Sequence, residues 1–76
     1  MFTLKFSNYN KEESVIGKFE TEQKLNMAVI AWLKSRNIAP KGKNGGYILR
    51  HFTGDDGREF IDYGSWASYL IVENEE

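Results

Sequence analysis

In "IDYGSWASYLIV" (residues 61–72), a Gly-Ser pair separates two short runs of β-branched and aromatic residues, the pattern of a chain reversal between strands. Successive strand residues point to opposite faces. From Trp66 onward, one face therefore carries Trp66, Ser68, Leu70 and Val72, and the other Ala67, Tyr69 and Ile71. Neither face is polar, so a strand at 66–72 needs cover on both sides. The question for the rest of the chain is what supplies it.

Reading backward from this strand, "YILRHFTGDDGREFIDYG" (47–64) has the form of a hairpin. It predicts a strand near 47–53, a turn at Gly54-Asp55-Asp56-Gly57 where Asp-Gly favours positive φ, and a returning strand near 58–63. The alternation sets Tyr47 and Leu49 opposite Ile48 and Phe52. At the other end of the chain, "FTLKFS" (2–7) alternates Phe2, Leu4 and Phe6 inward with Thr3, Lys5 and Ser7 outward. "NYNKEES" supplies a loose loop, and "VIGKFE" resumes a strand with Val15 and Phe19 on one side.

Between these sheet segments lies one helix. Thr21 can cap it by accepting from an orphan amide, and Glu22 sits favourably against the dipole of the first turn. From Glu22 to about Arg36, Leu25, Ala28, Val29, Trp32 and Leu33 recur at three- and four-residue spacing, forming one apolar stripe. Met27 and Ile30 fall off it, at the margin or exposed. Pro40 disfavours helical geometry at Ala39 and ends the helix before it. "PKGKNGG" (40–46) is then a loop with reach.

The element order is ββαβββ: an α+β domain of two layers, one helix on an antiparallel sheet, with residues 1–76 as one unit and no internal repeat. A helix of about four turns covers one face of such a sheet. The other face is expected to meet a protein partner, a second copy, or the curl of the sheet itself.

Composition supports an ordered chain. At 41% hydrophobic and 14% aromatic it can build a core, although a domain of this size buries only about 60% of its unfolded surface. With no cysteine, neither disulfides nor thiolate metal sites contribute, and a cytoplasmic location is the expectation. No apolar run has the length of a signal core or a membrane span, so the chain is expected to be soluble and unprocessed. Net charge is −1, but its distribution is uneven. Lys34, Arg36, Lys41, Lys43 and Arg50 lie in a segment without acids, whereas Asp55 to Glu76 holds seven acids against Arg58. Proximity in the fold, with partial mutual neutralisation, is the expected arrangement.

Catalytic material is sparse. His51, the only histidine, alternates with Tyr47 and Leu49 and could shuttle protons beside Asp62 or Glu59. A satisfied or half-exposed strand histidine is the preferred reading. Asp55, Asp56, Glu59 and Asp62 lack the spacing of a Ca²⁺ loop, and the first two are ordinary turn residues, so no metal and no cofactor is expected. "GKNGG" has the glycines of a phosphate loop but leads from a helix into a strand, the reverse of a P-loop.

Two binding classes remain. In the first, the chain is a noncatalytic protein-binding module, with Met27, Ile30, Tyr47, Tyr63, Trp66 and Tyr69 as interface candidates and a homodimer as the simplest version. Small acidic domains without cysteine or catalytic residues share this style with compact inhibitor proteins, including those of phages and mobile elements. In the second, Lys34, Arg36, Lys41, Lys43 and Arg50 contact nucleic-acid phosphates beside the aromatics of "GGYILRHF". Against this second class, no RNA-recognition motif is present and the isoelectric point is 5.8.

Overall fold

The computed structural model describes residues 1–40, 42, 45–64 and 68–74. Elements run β1 (Phe2–Ser7), β2 (Glu13–Phe19), α1 (Glu22–Ser35), β3 (Arg50–Thr53), β4 (Glu59–Asp62) and β5 (Tyr69–Asn74). The five strands form a single antiparallel sheet in the order β2-β1-β5-β4-β3. The N-terminal hairpin and the C-terminal meander are thus joined at the centre by β1 and β5. Phe2 lies opposite Asn74 and Ser7 opposite Tyr69, so the central pairing links the two ends of the described chain.

The expected ββαβββ order and two-layer α+β class are present, and the differences are local. β5 runs on to Asn74 because Phe2 and Thr3 offer ladder partners to Asn74 and Glu73. The proposed start of that strand at Trp66 lies outside the described residues. β3 begins at Arg50 rather than at 47. Upstream of it, Tyr47 turns toward the helix end, where its hydroxyl donates to the Ile38 carbonyl at 2.9 Å.

A second difference concerns β2, where the expectation of Val15 and Phe19 on one side fails. A β-bulge sets Leu4 opposite Gly17 but Lys5 opposite Val15, leaving Ile16 as the extra residue. The extra residue reverses the alternation. Phe19, opposite Phe2, packs on the helix side, whereas Val15 shares the other face with Lys5 and is largely exposed.

The helix is held at both ends by local chemistry. Thr21 Oγ1 accepts from the Lys24 amide at 3.2 Å. At the C-terminus, Asn37 adopts φ 59°, and the Ile38 and Asn37 amides donate to the Leu33 and Lys34 carbonyls at 3.1 Å each, a Schellman closure with asparagine in the left-handed position. The intervening stripe buries Leu25, Val29 and Leu33 against Leu4, Ile61, Leu70 and Val72. Ala28, Ile30 and Trp32 flank this core.

The β3–β4 turn also follows its sequence. The Gly57 amide donates to the Gly54 carbonyl at 3.0 Å and the Gly54 amide to the Arg58 carbonyl at 2.8 Å. Gly57 has φ 84°, which a side chain would strain. Gly54 has a different reason to lack a side chain: the Phe60 ring lies where its Cβ would stand.

Candidate protein-binding face

The register assigns each face. Phe2, Leu4, Phe6, Ile61, Leu70 and Val72 point toward the helix; Thr3, Lys5, Ser7, Phe52, Phe60, Tyr69, Ile71 and Glu73 point away. The second face lacks a helix, yet it is not simply open. Ile71 is 0% exposed, and Thr3 and Ser7, expected outward, are buried as well. In register, Ile71 sits between Lys5 and Phe60, with Tyr69 and Glu73 two residues away along its own strand. The covers expected for this face, a partner, a second copy or the curl of the sheet, are therefore not the whole answer: part of it is roofed by the chain's own side chains.

Two structures make that roof. One is aromatic: Phe52 stacks on Phe60 with ring centres 5.4 Å apart and planes inclined by 15°, and Tyr69 meets both edge-on at 5.7 and 6.1 Å. The other is ionic. The Arg58 guanidinium donates through Nη1 and Nη2 to the two carboxylate oxygens of Glu13 at 2.8 and 3.0 Å, and through Nε to Asp56 at 2.7 Å. Its Nη1 also reaches Glu73 at 3.1 Å, and Lys5 Nζ reaches the other oxygen of Glu73 at 2.9 Å. Arg58 thereby ties β2 to the β3–β4 turn and β5, and its guanidinium stands 5.7 Å from the Phe60 ring centre. A planar fork with five donors is suited to this work, and a lysine would not replace it.

The network sets its own protonation. The Arg58 hydrogen bonds hold Glu13 below the usual carboxylate range. Asp56 is lowered by the Arg58 backbone amide and then by its side chain. Glu73 is lowered chiefly by Lys5 and then by Arg58. Arg58 in turn holds its proton more tightly than a free arginine, first through Glu13. Three carboxylates answer two cations, so the cluster retains negative charge.

Beside it runs an open groove of about 530 Å³. Tyr9, Phe60 and Tyr69 furnish its rings, and Asp55, Asp56 and Glu13 its carboxylates. Tyr9 is 74% exposed. It projects from a loop fixed by Asn8, whose side-chain oxygen accepts the amides of Asn10 and Glu12 at 2.9 and 3.0 Å. Tyr9, absent from the sequence-based candidates, and Phe52, expected only as a stacking plane for nucleic acid, thus join Tyr69 on this face. The asparagine-rich loop was visible in the sequence, but where it carries Tyr9 depends on the bulged hairpin.

The other candidates go elsewhere. Met27 is 66% exposed on the outer side of the helix, while Ile30 packs at the core margin. Tyr47 and Tyr63 also pack against the core, and Tyr63 meets Trp32 edge-on at 5.6 Å and shares a 2.6 Å hydrogen bond with Ser68. Trp66 lies outside the described residues, as do Lys41 and Lys43.

Of the remaining cations, Lys34 is exposed in the last helical turn, and Arg36 lies over the Phe6 and Trp32 rings at 5.6 and 5.2 Å. Arg50 lines a cavity of about 220 Å³ with Asp62, Tyr47 and Tyr63. His51 Nδ1 and Glu59 Oε1 are 2.7 Å apart on the helix side, both about half exposed. The described cations of the 34–50 segment therefore meet the acidic segment only at its edge, and the acids Asp56 and Glu73 are answered instead by Arg58 and Lys5. Among the described residues, no three histidine or carboxylate side chains converge to hold a metal ion, and no helix is long and apolar enough to cross a membrane. Comparison with protein-family models, with curated proteins and with solved structures finds no match.

Proposed function

We propose that this chain is a noncatalytic binding domain that engages a protein through the sheet face opposite its helix. The observation that carries this reading is the groove in which the exposed Tyr9 stands beside Phe60 and Tyr69 and is bordered by Asp55, Asp56 and Glu13. Aromatic anchors with a polar rim are the usual composition of an interface centre. Lys11 and Arg58 also line the groove, so its carboxylates exceed its cations by one, which favours a partner that presents an apolar or aromatic side chain next to a cation. Binding of this kind suits an inhibitor or regulator, since it needs only a surface.

The test compares partners recovered from the source cells on immobilised wild type, Tyr9→Ala, Asp55→Lys and Met27→Ala. A protein that is retained by wild type and Met27→Ala, and reduced several-fold by both Tyr9→Ala and Asp55→Lys, supports the reading. Recovery indifferent to Tyr9 and Asp55 overturns it.

A second reading has one observation in its favour. Arg36, Trp32 and Tyr63 form a continuous contact chain that leads to the cavity holding Arg50. Single-stranded nucleic acid uses aromatic planes and cations in this combination. Titration with single-stranded and duplex oligonucleotides should then show affinity that falls steeply with salt and is lost in Arg36→Ala. Absence of binding at low salt ends that reading.

A further inference from the structure

The two edges of the sheet are not equivalent. β2, at one edge, is interrupted by the bulge at Leu4/Lys5, which breaks the row of outward backbone groups. β3, at the other, is regular, and all four of its residues are exposed. An uncovered edge strand is a template for another strand.

The ladder fixes which backbone groups of β3 are free to pair. Because the Gly54 amide bonds to the Arg58 carbonyl, the hydrogen-bonded positions alternate from there. Phe52 and Arg50 direct their backbone groups toward β4, and His51 and Thr53 direct theirs outward. Any strand added to this edge must bond to His51 and Thr53.

We propose that the edge is completed by β3 of a second copy of this chain, antiparallel about a two-fold axis at Phe52. This edge adjoins the groove at Asp55, but its backbone pairing does not depend on the preceding reading. In that register His51 faces the other copy's Thr53 twice, giving four backbone hydrogen bonds. Phe52 faces its own symmetry mate at a non-hydrogen-bonded position, where side chains come closest. Its ring, 43% exposed and already stacked on Phe60, would continue the aromatic row across the axis. The charges agree with this choice of occupant. A two-fold sets the basic beginning of each β3 against the acidic end of the other. Arg50 then comes opposite Gly54, which has no side chain to obstruct it, one residue from Asp55. A strand of four residues makes the association reversible and concentration-dependent.

Light scattering from low micromolar to millimolar protein, paired with amide hydrogen exchange, tests the proposal. The mass should rise toward that of two chains. Over the same range the His51 and Thr53 amides should gain protection at least several-fold, while the Phe52 amide, bonded to β4, is protected throughout. Thr53→Pro removes an outward amide without touching the β4 ladder and should remain monomeric and folded by circular dichroism. If Thr53→Pro fails to fold, Phe52→Lys serves in its place, setting two cations against each other on the axis. A constant monomer mass overturns the proposal. So does a dimer whose His51 and Thr53 amides exchange freely, or one that the folded edge variant still forms.

Discussion

On the helix side of the sheet, Leu4, Ile61, Leu70 and Val72 lose their water to Leu25, Val29 and Leu33, whereas on the opposite side Ile71 loses its water among Lys5, Phe60, Tyr69 and Glu73. The first enclosure is made by side chains that have no better place to go. The second is made partly by rings and partly by charged side chains that water would also accept, the latter held over the sheet by the Arg58 fork. Apolar cover changes little with pH or salt, but ionic cover depends on both. A roof of charged residues can also be exchanged for the charges of another molecule, which the helix layer cannot. The difference explains how so small a chain encloses a strand with two apolar faces.

The comparison is broken most directly by Leu70→Ala and Ile71→Ala, adjacent residues on opposite faces and both fully buried. Leu70→Ala should cost about 3–5 kcal/mol, in the upper part of the range for large-to-small core changes. Ile71→Ala should cost about 2–3 kcal/mol, because flexible charged side chains can settle into the space more readily than a packed helix can. Urea denaturation measures both. An Ile71→Ala cost below about 1 kcal/mol would mean that the roof stands open in solution and that Ile71 is covered only part of the time.

The sequence made much of this arrangement legible. Strict alternation in "FTLKFS", the Thr21 cap and the Leu25-Val29-Leu33 stripe each express a local rule that the tertiary structure obeys. The single helix also implied that one face of the sheet would need another cover. What stayed hidden depended on contacts distant in the chain. Glu13 and Arg58 lie 45 residues apart, and nothing in either neighbourhood announces their pairing. The bulge in β2 was equally obscured, because "SVIGKF" alternates acceptably until Ile16 is inserted against β1. Of the binding candidates, aromatic type alone could not separate Tyr69, on the face away from the helix, from Tyr47 and Tyr63, which hydrogen-bond within the chain.

Arg58→Met sharpens the comparison from the ionic side. It keeps an unbranched apolar stem but leaves Glu13 and Glu73 with Lys5 alone and Asp56 with only the backbone amide of residue 58. At neutral pH the loss should be about 0.5–1 kcal/mol, since the group is partly solvated, and it should shrink with added salt. The pH dependence has a definite sign. The carboxylate pKa values are lowered by folding, so the network's contribution is present above the unfolded values, about pH 4, and is lost as pH falls through the lower folded values. Stabilities of wild type and Arg58→Met should therefore converge in acid. A gap that persists there would assign the effect of Arg58 to the contact of its guanidinium with the Phe60 ring rather than to its carboxylate partners.

The smallest effect tests the helix side by a change that has no charge to titrate. Asn37 closes the helix with φ 59°, a conformation asparagine tolerates and glycine adopts freely. Its amide already donates to Lys34, and Ile38 to Leu33, through backbone groups that Asn37→Gly leaves in place. The substitution relieves strain in the folded chain but also frees the unfolded one, so the net gain should be only about 0.3–0.5 kcal/mol. Because neither term involves a proton or an ion pair, the gain should be the same in neutral and mildly acidic buffer and at low and high salt. A gain that varied with pH would show that the helix end is coupled to the ionic roof across the sheet, and that the two faces are not the independent layers their chemistry implies.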